Sequence, residues 1–122
     1  MDTLSKQQIV WEKLKGVADF FEDGLYKALG SSSTFTGDDA TPLHEAAQAL
    51  TEHSADLTEH FYESAKAALT CAADEFNKIF EFLRPHGGQK FEGAVKQGLD
   101  TRMAEARAAY QEKLAAVGNI FS

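Results

Sequence analysis

Apolar residues recur at steps of three and four positions along three long stretches of the chain, a pattern that predicts amphipathic helices. The first stretch covers about residues 4–29, and Gly30 with the serines after it predicts its end. Its apolar face contains Trp11, Leu14, Ala18, Phe21, Leu25 and Ala28, widened by Val10, Val17 and Phe20. The polar segment 30–41 that follows is acidic in its second half and predicts a flexible loop, with Phe35 as its one large apolar residue.

The second stretch begins at Thr41 and Pro42, which suit an N-cap and a first helical position, and meets no further Gly or Pro before Pro85. Its face repeats every eleven residues, through Leu50, Ser54 and Leu57, then Phe61, Ala65 and Ala68, then Ala72, Phe76 and Ile79, and ends with Leu83. An eleven-residue period matches a nearly straight helix. One helix over 42–83 would be roughly 63 Å long, far above the globular average.

Two arrangements fit this second stretch. The sequence DLTE has the spacing of a capping box with Asp56 as the cap, which predicts a break near residues 54–56. A helix over 56–83 would then match the other two stretches in length, and the three would form an up-down-up antiparallel bundle with a short fourth helix before the break. The alternative is one unbroken helix over 42–83 that projects from the bundle.

The third stretch covers about residues 89–117 and follows a tight turn at 84–88, where Pro85 ends one helix and two glycines permit the reversal. Its apolar face contains Phe91, Val95, Leu99, Met103, Ala106, Tyr110, Leu114 and Val117. The sequence therefore predicts one all-α domain over residues 1–122.

Charge and targeting signals narrow the range of partners. The net charge is −7, from 19 acidic residues against 12 Lys and Arg, which disfavours binding to nucleic acid and to anionic lipid. The N-terminus lacks the features of a signal peptide, and no run approaches the ~20 apolar residues of a membrane span. A cytoplasmic protein without a transmembrane segment is expected.

The stretch from His44 to Ser64 holds three of the four histidines and raises the question of a metal site. Zinc and iron in proteins are bound mainly by imidazole and carboxylate side chains. On a continuous helix four such side chains would share one strip: His53, Asp56, His60 and Glu63. The two histidines of this strip would be ~10 Å apart along the axis, and no other helix supplies a histidine. We therefore favour ordinary surface polarity, with no metal or other cofactor.

Catalytic motifs are missing from the sequence. It contains no phosphate-binding glycine loop followed by Lys, no nucleophile elbow and no His-Glu-x-x-His. The only cysteine, Cys71, rules out an intramolecular disulfide, and its nearest acid, Asp74, has the wrong sign to activate a thiol. The sequence predicts that the chain is not an enzyme.

Aromatic residues in EFNKIFEFLRP exceed what one helix of a three-helix bundle can bury. Phe76 suits the core, whereas Phe80 and Phe82 lie on opposite shoulders of the helix. Phe91 would join the same end of the bundle, and so would Trp11 if the first helix runs antiparallel to the second. The leading hypothesis is a non-catalytic interaction module that self-associates or joins a larger assembly through this aromatic end. Aspartate at Phe80 or Phe82 is then predicted to disrupt association while helicity survives.

Interior glycines support an alternative hypothesis. Gly16, Gly24, Gly93 and Gly98 each cost a helix about 1 kcal/mol relative to alanine, so they either permit close helix packing or leave the bundle loose enough to open. An opened bundle with eleven-residue periods could bind a neutral lipid surface or an apolar ligand. Metal binding by the histidine strip remains a second alternative.

Overall fold

A computed structural model describes residues 2–24, 41–86 and 93–121, and every regular element within these ranges is helical. The four α-helices are α1 (Asp2–Asp19), α2 (Thr41–Glu52), α3 (Glu59–Leu83) and α4 (Ala94–Gly118). A π-helix, Phe20–Gly24, continues α1, and 3-10 turns occupy Ser54–Asp56, Arg84–His86 and Asn119–Phe121. The predicted all-α helical bundle is confirmed.

The second stretch is broken between α2 and α3. Leu57 and Thr58 have extended backbone, with ψ of 150° and 151°. The Thr58 hydroxyl accepts a hydrogen bond from the backbone N–H of Phe61 at 3.2 Å, so Thr58 is the N-cap of α3. Asp56 is not the cap, because its N–H donates to the His53 carbonyl at 2.9 Å within the preceding turn and the helix begins later.

A side chain from α1 also holds the break. Gln7 is buried, with 6 % of its surface exposed, and its Oε1 accepts a hydrogen bond from the backbone N–H of Thr58 at 3.3 Å. Because Leu57 and Thr58 are extended, this N–H has no helical carbonyl partner, and the Gln7 amide supplies one. The fold of the break therefore depends on α1 as well as on its own residues.

Removing the cap is expected to destabilise the bundle in a position-specific way. Thr58→Ala should lower the free energy of unfolding by about 1 kcal/mol, because the Phe61 N–H loses its acceptor. Asp56→Ala serves as the control and should change it by less than about 0.5 kcal/mol. Urea unfolding of both variants measures the difference in the free energy of unfolding. An equal or larger loss for Asp56→Ala would indicate that Asp56, and not Thr58, caps the helix.

Helices α1 and α3 run parallel. Gln7 meets Thr58 near the start of both helices, and farther along both the rings of Phe20 and Phe76 lie 6.0 Å apart. The direction follows from the short α2, which runs back along α1 and pairs its Glu45 with α1 at 3.7 Å. With α2 inserted, α3 starts at the same end as α1 instead of the opposite end.

Helix α4 runs antiparallel to α1. Trp11 lies against Gly118 at the end of α4, whereas the Arg107 guanidinium, three turns earlier, donates to the carbonyl of Phe21 at 3.1 Å. The described helices therefore alternate up, down, up and down, as in a four-helix bundle with one short member.

The buried residues follow the predicted faces closely in α3 and α4. All seven buried residues of α3 belong to the eleven-residue repeat: Phe61, Ala65, Ala68, Ala72, Phe76, Ile79 and Leu83. The six of α4 were also predicted: Leu99, Met103, Ala106, Tyr110, Leu114 and Val117. In α1 and the π-helix that continues it, the face centres on Val10, Leu14, Val17 and Phe21, with Trp11 only partly buried at its edge. The predictions for Leu25, Ala28, Phe35, Phe91 and the glycines of the 84–88 turn fall outside the described residues.

Candidate interaction surface

Three phenylalanines form an aromatic cluster between α1 and α3, here called the Phe80 cluster: Phe20, Phe76 and Phe80. Phe76 is 7 % exposed and contacts Phe20, and the Phe80 ring stacks on Phe76 with centroids 6.4 Å apart and planes at 23°. Phe80 itself is only partly buried. Its stacked side therefore belongs to the core, while part of its surface stays accessible.

Phe82 packs across the α3–α4 contact. Its ring lies so close to Gly98 that a Cβ atom added there would collide with the ring carbon Cζ. The Arg102 guanidinium lies 3.9 Å from the ring centroid and its Nη1 donates to the Gly98 carbonyl at 3.2 Å. Phe82 is thus enclosed between a glycine and a cation, and substituting it tests helix packing more than association.

Trp11 does not join the aromatic end that the sequence analysis assigned to it. It lies against Gly118, where an added Cβ atom would be 3.0 Å from the indole, and the Lys15 ammonium is 5.9 Å from the ring centroid. The expectation assumed that α1 runs antiparallel to α3. Because α2 makes these two helices parallel, Trp11 lies at the end opposite Phe82, and Phe91 falls outside the described residues.

An open groove of about 610 Å³ runs beside Phe82 between α3 and α4. Its cations are engaged within the chain, since Lys78 pairs with Glu75 at 3.1 Å and Arg102 covers Phe82. The hydrogen bond to Glu75 is the main reason that the pKa of Lys78 is raised above its usual value. Both cations that line the groove are therefore already engaged by groups of the chain.

The histidine strip is divided by the break. His53 follows the end of α2, Asp56 lies in the 3-10 turn, and His60 and Glu63 lie in α3. The continuous-helix spacing that would align them is lost. Within residues 2–24, 41–86 and 93–121, no group of three or more His, Cys, Asp or Glu side chains is arranged to hold a metal ion.

Cys71 lies half-buried in a second groove between α3 and α4, of about 440 Å³, which Lys66, Asp74 and Lys113 also line. Burial is the main reason that the pKa of the Cys71 thiol is raised, and the charge of Glu75 adds to the effect. The thiol is therefore protonated at neutral pH, the unreactive form.

Tyr110 has a role that the sequence analysis missed. It is fully buried, its hydroxyl donates to the Leu14 carbonyl at 2.7 Å, and its ring lies 5.8 Å from that of Phe21. Burial raises its pKa above the usual tyrosine value. The sequence placed Tyr110 correctly on the apolar face, but an acceptor 96 residues away leaves no local signal.

Comparison with protein family models, curated proteins and solved structures gave no match for this chain. In the part of the chain that the structure describes, no helix combines the length and apolarity that crossing a bilayer requires.

Proposed function

We propose that the chain is a non-catalytic helical interaction module that self-associates, with the Phe80 cluster at the centre of its contact surface. The partial exposure of Phe80 is the observation that carries the proposal. A large aromatic side chain that is partly buried by stacking and partly accessible is typical of residues that dominate binding energy at protein interfaces.

The environments of Cys71 and Phe80 support a non-catalytic role. The only cysteine has its pKa raised by burial, so it is held as a thiol. Phe80, by contrast, is pre-oriented by stacking on Phe76, so little side-chain entropy is lost when a partner covers it. These properties favour recognition over chemistry.

Replacing Phe80 is expected to weaken self-association by at least about 30-fold, the loss of one aromatic anchor residue. Phe80→Asp and Phe80→Lys should be measured together, because they change the net charge of −7 in opposite directions. If both disrupt association, loss of the ring is the cause and not added repulsion. Native mass spectrometry and sedimentation of the untagged protein measure the oligomer.

The matched control is Ile9→Asp, which removes an apolar residue that is 41 % exposed on α1, outside the cluster. It should leave the oligomer intact. Circular dichroism of every variant separates association from folding. Retention of the wild-type mass by both Phe80 variants would place the contact surface elsewhere, and a monomer carrying an apolar adduct would support lipid or apolar-ligand binding instead.

A further inference from the structure

The two buried leucines of α2 are in phase with the apolar face of α3, although the chain turns between the helices. Leu43 and Leu50 are buried in the bundle. If α3 were continued backward through the break as one helix, both would lie within about 40° of Ala72, in the middle of the buried face of α3. The leucine side of the face that α2 buries would therefore join the buried face of α3 in one straight helix, whereas the buried Ala46 and Ala49 would lie about 80° and about 140° from Ala72.

Residues 53–58, which form the break, are here called the hinge. Most of the hinge is already close to helical. Ser54–Asp56 already form a 3-10 turn, and His53 has φ −103° and ψ 7°. The large departures are ψ of 150° at Leu57 and 151° at Thr58, far from the helical value of about −42°. Rotation about these two bonds is the main change that straightens the chain.

The backbone N–H groups of the hinge do not oppose straightening. The folded hinge satisfies the N–H groups of Thr58 and Phe61 with the side chains of Gln7 and Thr58. In one straight helix both N–H groups would bond to carbonyls four residues earlier. These two N–H groups keep an acceptor in both forms, although the buried Gln7 Oε1 loses its Thr58 donor in the straight one.

We propose that this chain forms an exchanged dimer, in which the hinge straightens and α1 and α2 of each copy pack on α3 and α4 of the other. Straightening carries α2 away from α3 with its apolar face uncovered. The surface complementary to that face is the one it left, and a second copy presents the same surface. Contacts such as Tyr110 with Leu14 and Phe20 with Phe76 would be made again between copies.

The exchanged dimer shares only self-association with the proposed function, because it uses the interior of the bundle instead of the Phe80 cluster. The two modes therefore respond to different substitutions. The two modes are distinguished by a substitution that the folded hinge tolerates and that destabilises the straight helix.

Glu59→Pro is that change. Glu59 is the exposed first residue of α3, where the N–H has no helical acceptor, and Thr58 at φ −67° and ψ 151° already has the conformation favoured before proline. In the straight helix the same proline would be interior. It should weaken the exchanged dimer roughly 100-fold at each hinge, or about 10⁴-fold over two hinges.

Sedimentation and native mass spectrometry, after refolding over a range of protein concentrations, test the exchange. Wild type should form a dimer whose fraction rises with concentration, Glu59→Ala should retain it, and Glu59→Pro should be monomeric with an undiminished unfolding midpoint. Thr58→Ala, which loses the cap only in the folded hinge, should raise the dimer fraction. An equal dimer fraction in Glu59→Pro and wild type would overturn the exchange.

A distance measurement distinguishes exchange from association through the Phe80 cluster. Spin labels at Gln48→Cys and Lys66→Cys in a Cys71→Ser background, diluted with unlabelled chain, should lie about 27 Å apart along a straight helix. In the folded hinge α2 and α3 lie side by side, with axes about 10 Å apart.

The outcomes of these experiments decide between exchange and association through the Phe80 cluster. A long distance in a dimer that survives Phe80→Asp supports exchange and removes the Phe80 cluster as the contact surface. A short distance in a dimer that Phe80→Asp abolishes overturns exchange and keeps the proposed function. A wild-type monomer at every concentration overturns both.

Discussion

Replacing Gly98 with alanine is expected to lower the free energy of unfolding by about 1–3 kcal/mol, although alanine is the better helix former. The new Cβ atom would collide with the Phe82 ring, which lies directly on Gly98. The ring cannot move outward freely, because the Arg102 guanidinium lies 3.9 Å from its centroid. The bundle must therefore separate α3 from α4 locally or move both side chains.

Gly16→Ala is the matched control, since nothing lies within 4 Å of a Cβ atom built at Gly16. It should stabilise the protein by about 0.5–1 kcal/mol through helix propensity alone. Urea unfolding of the two variants should thus give changes of opposite sign. Stabilisation by Gly98→Ala would mean that the Phe82 ring does not occupy this contact.

A double-mutant cycle assigns the effect to the ring. In a Phe82→Ala background the space above Gly98 is empty, so Gly98→Ala should become neutral or stabilising. A coupling free energy of about 1 kcal/mol or more is expected between the two positions, as for other residues in direct contact. Simple additivity would show that the cost of Gly98→Ala arises elsewhere.

Tyr110→Phe is expected to lower the free energy of unfolding at neutral pH and to make it less dependent on pH in alkali. At neutral pH the lost hydrogen bond to the Leu14 carbonyl should cost about 1 kcal/mol. In the unfolded chain tyrosine ionises near pH ~10, whereas burial keeps the native pKa of Tyr110 higher. Between these two pKa values the native state retains a proton that the unfolded state has lost.

The sign of the pH dependence follows from this difference in bound protons. The stabilisation by the protonated Tyr110 hydroxyl is fully present below the pKa that tyrosine has in the unfolded chain. Above that pKa the free energy of unfolding falls by about 1.4 kcal/mol per pH unit. Tyr110→Phe should remove this part of the slope. Urea unfolding between pH 9 and 11 measures the slope, and the same slope in Tyr110→Phe and wild type would contradict the assignment.

The break between α2 and α3 shows how far local sequence signals reach. An unbroken eleven-residue pattern over 42–83 is compatible with one helix, and only the DLTE spacing indicated a break. The structure breaks at that place but caps α3 with Thr58, whose own N–H is bonded by Gln7. The exact start of α3 thus depends on a side chain 51 residues away.

The aromatic residues illustrate the same limit. Periodicity correctly assigned Phe76 to the core and Phe80 and Phe82 to its two shoulders. It could not tell that Gly98 would receive Phe82, or that Phe80 would extend a cluster with Phe20. Which shoulder is covered depends on the neighbouring helix, which a pattern within one helix does not identify.

The sequence by itself determined that the chain is helical and which face of α3 and of α4 is buried, because a helix repeats every 3.6 residues and burial follows that period. Tertiary structure decided the direction of α1, the opposite location of Trp11 and the enclosure of Phe82. It also paired Gln7 with Thr58, Arg107 with Phe21 and Tyr110 with Leu14, across 51, 86 and 96 residues. Contacts of that separation depend on how whole helices pack, so no local pattern encodes them.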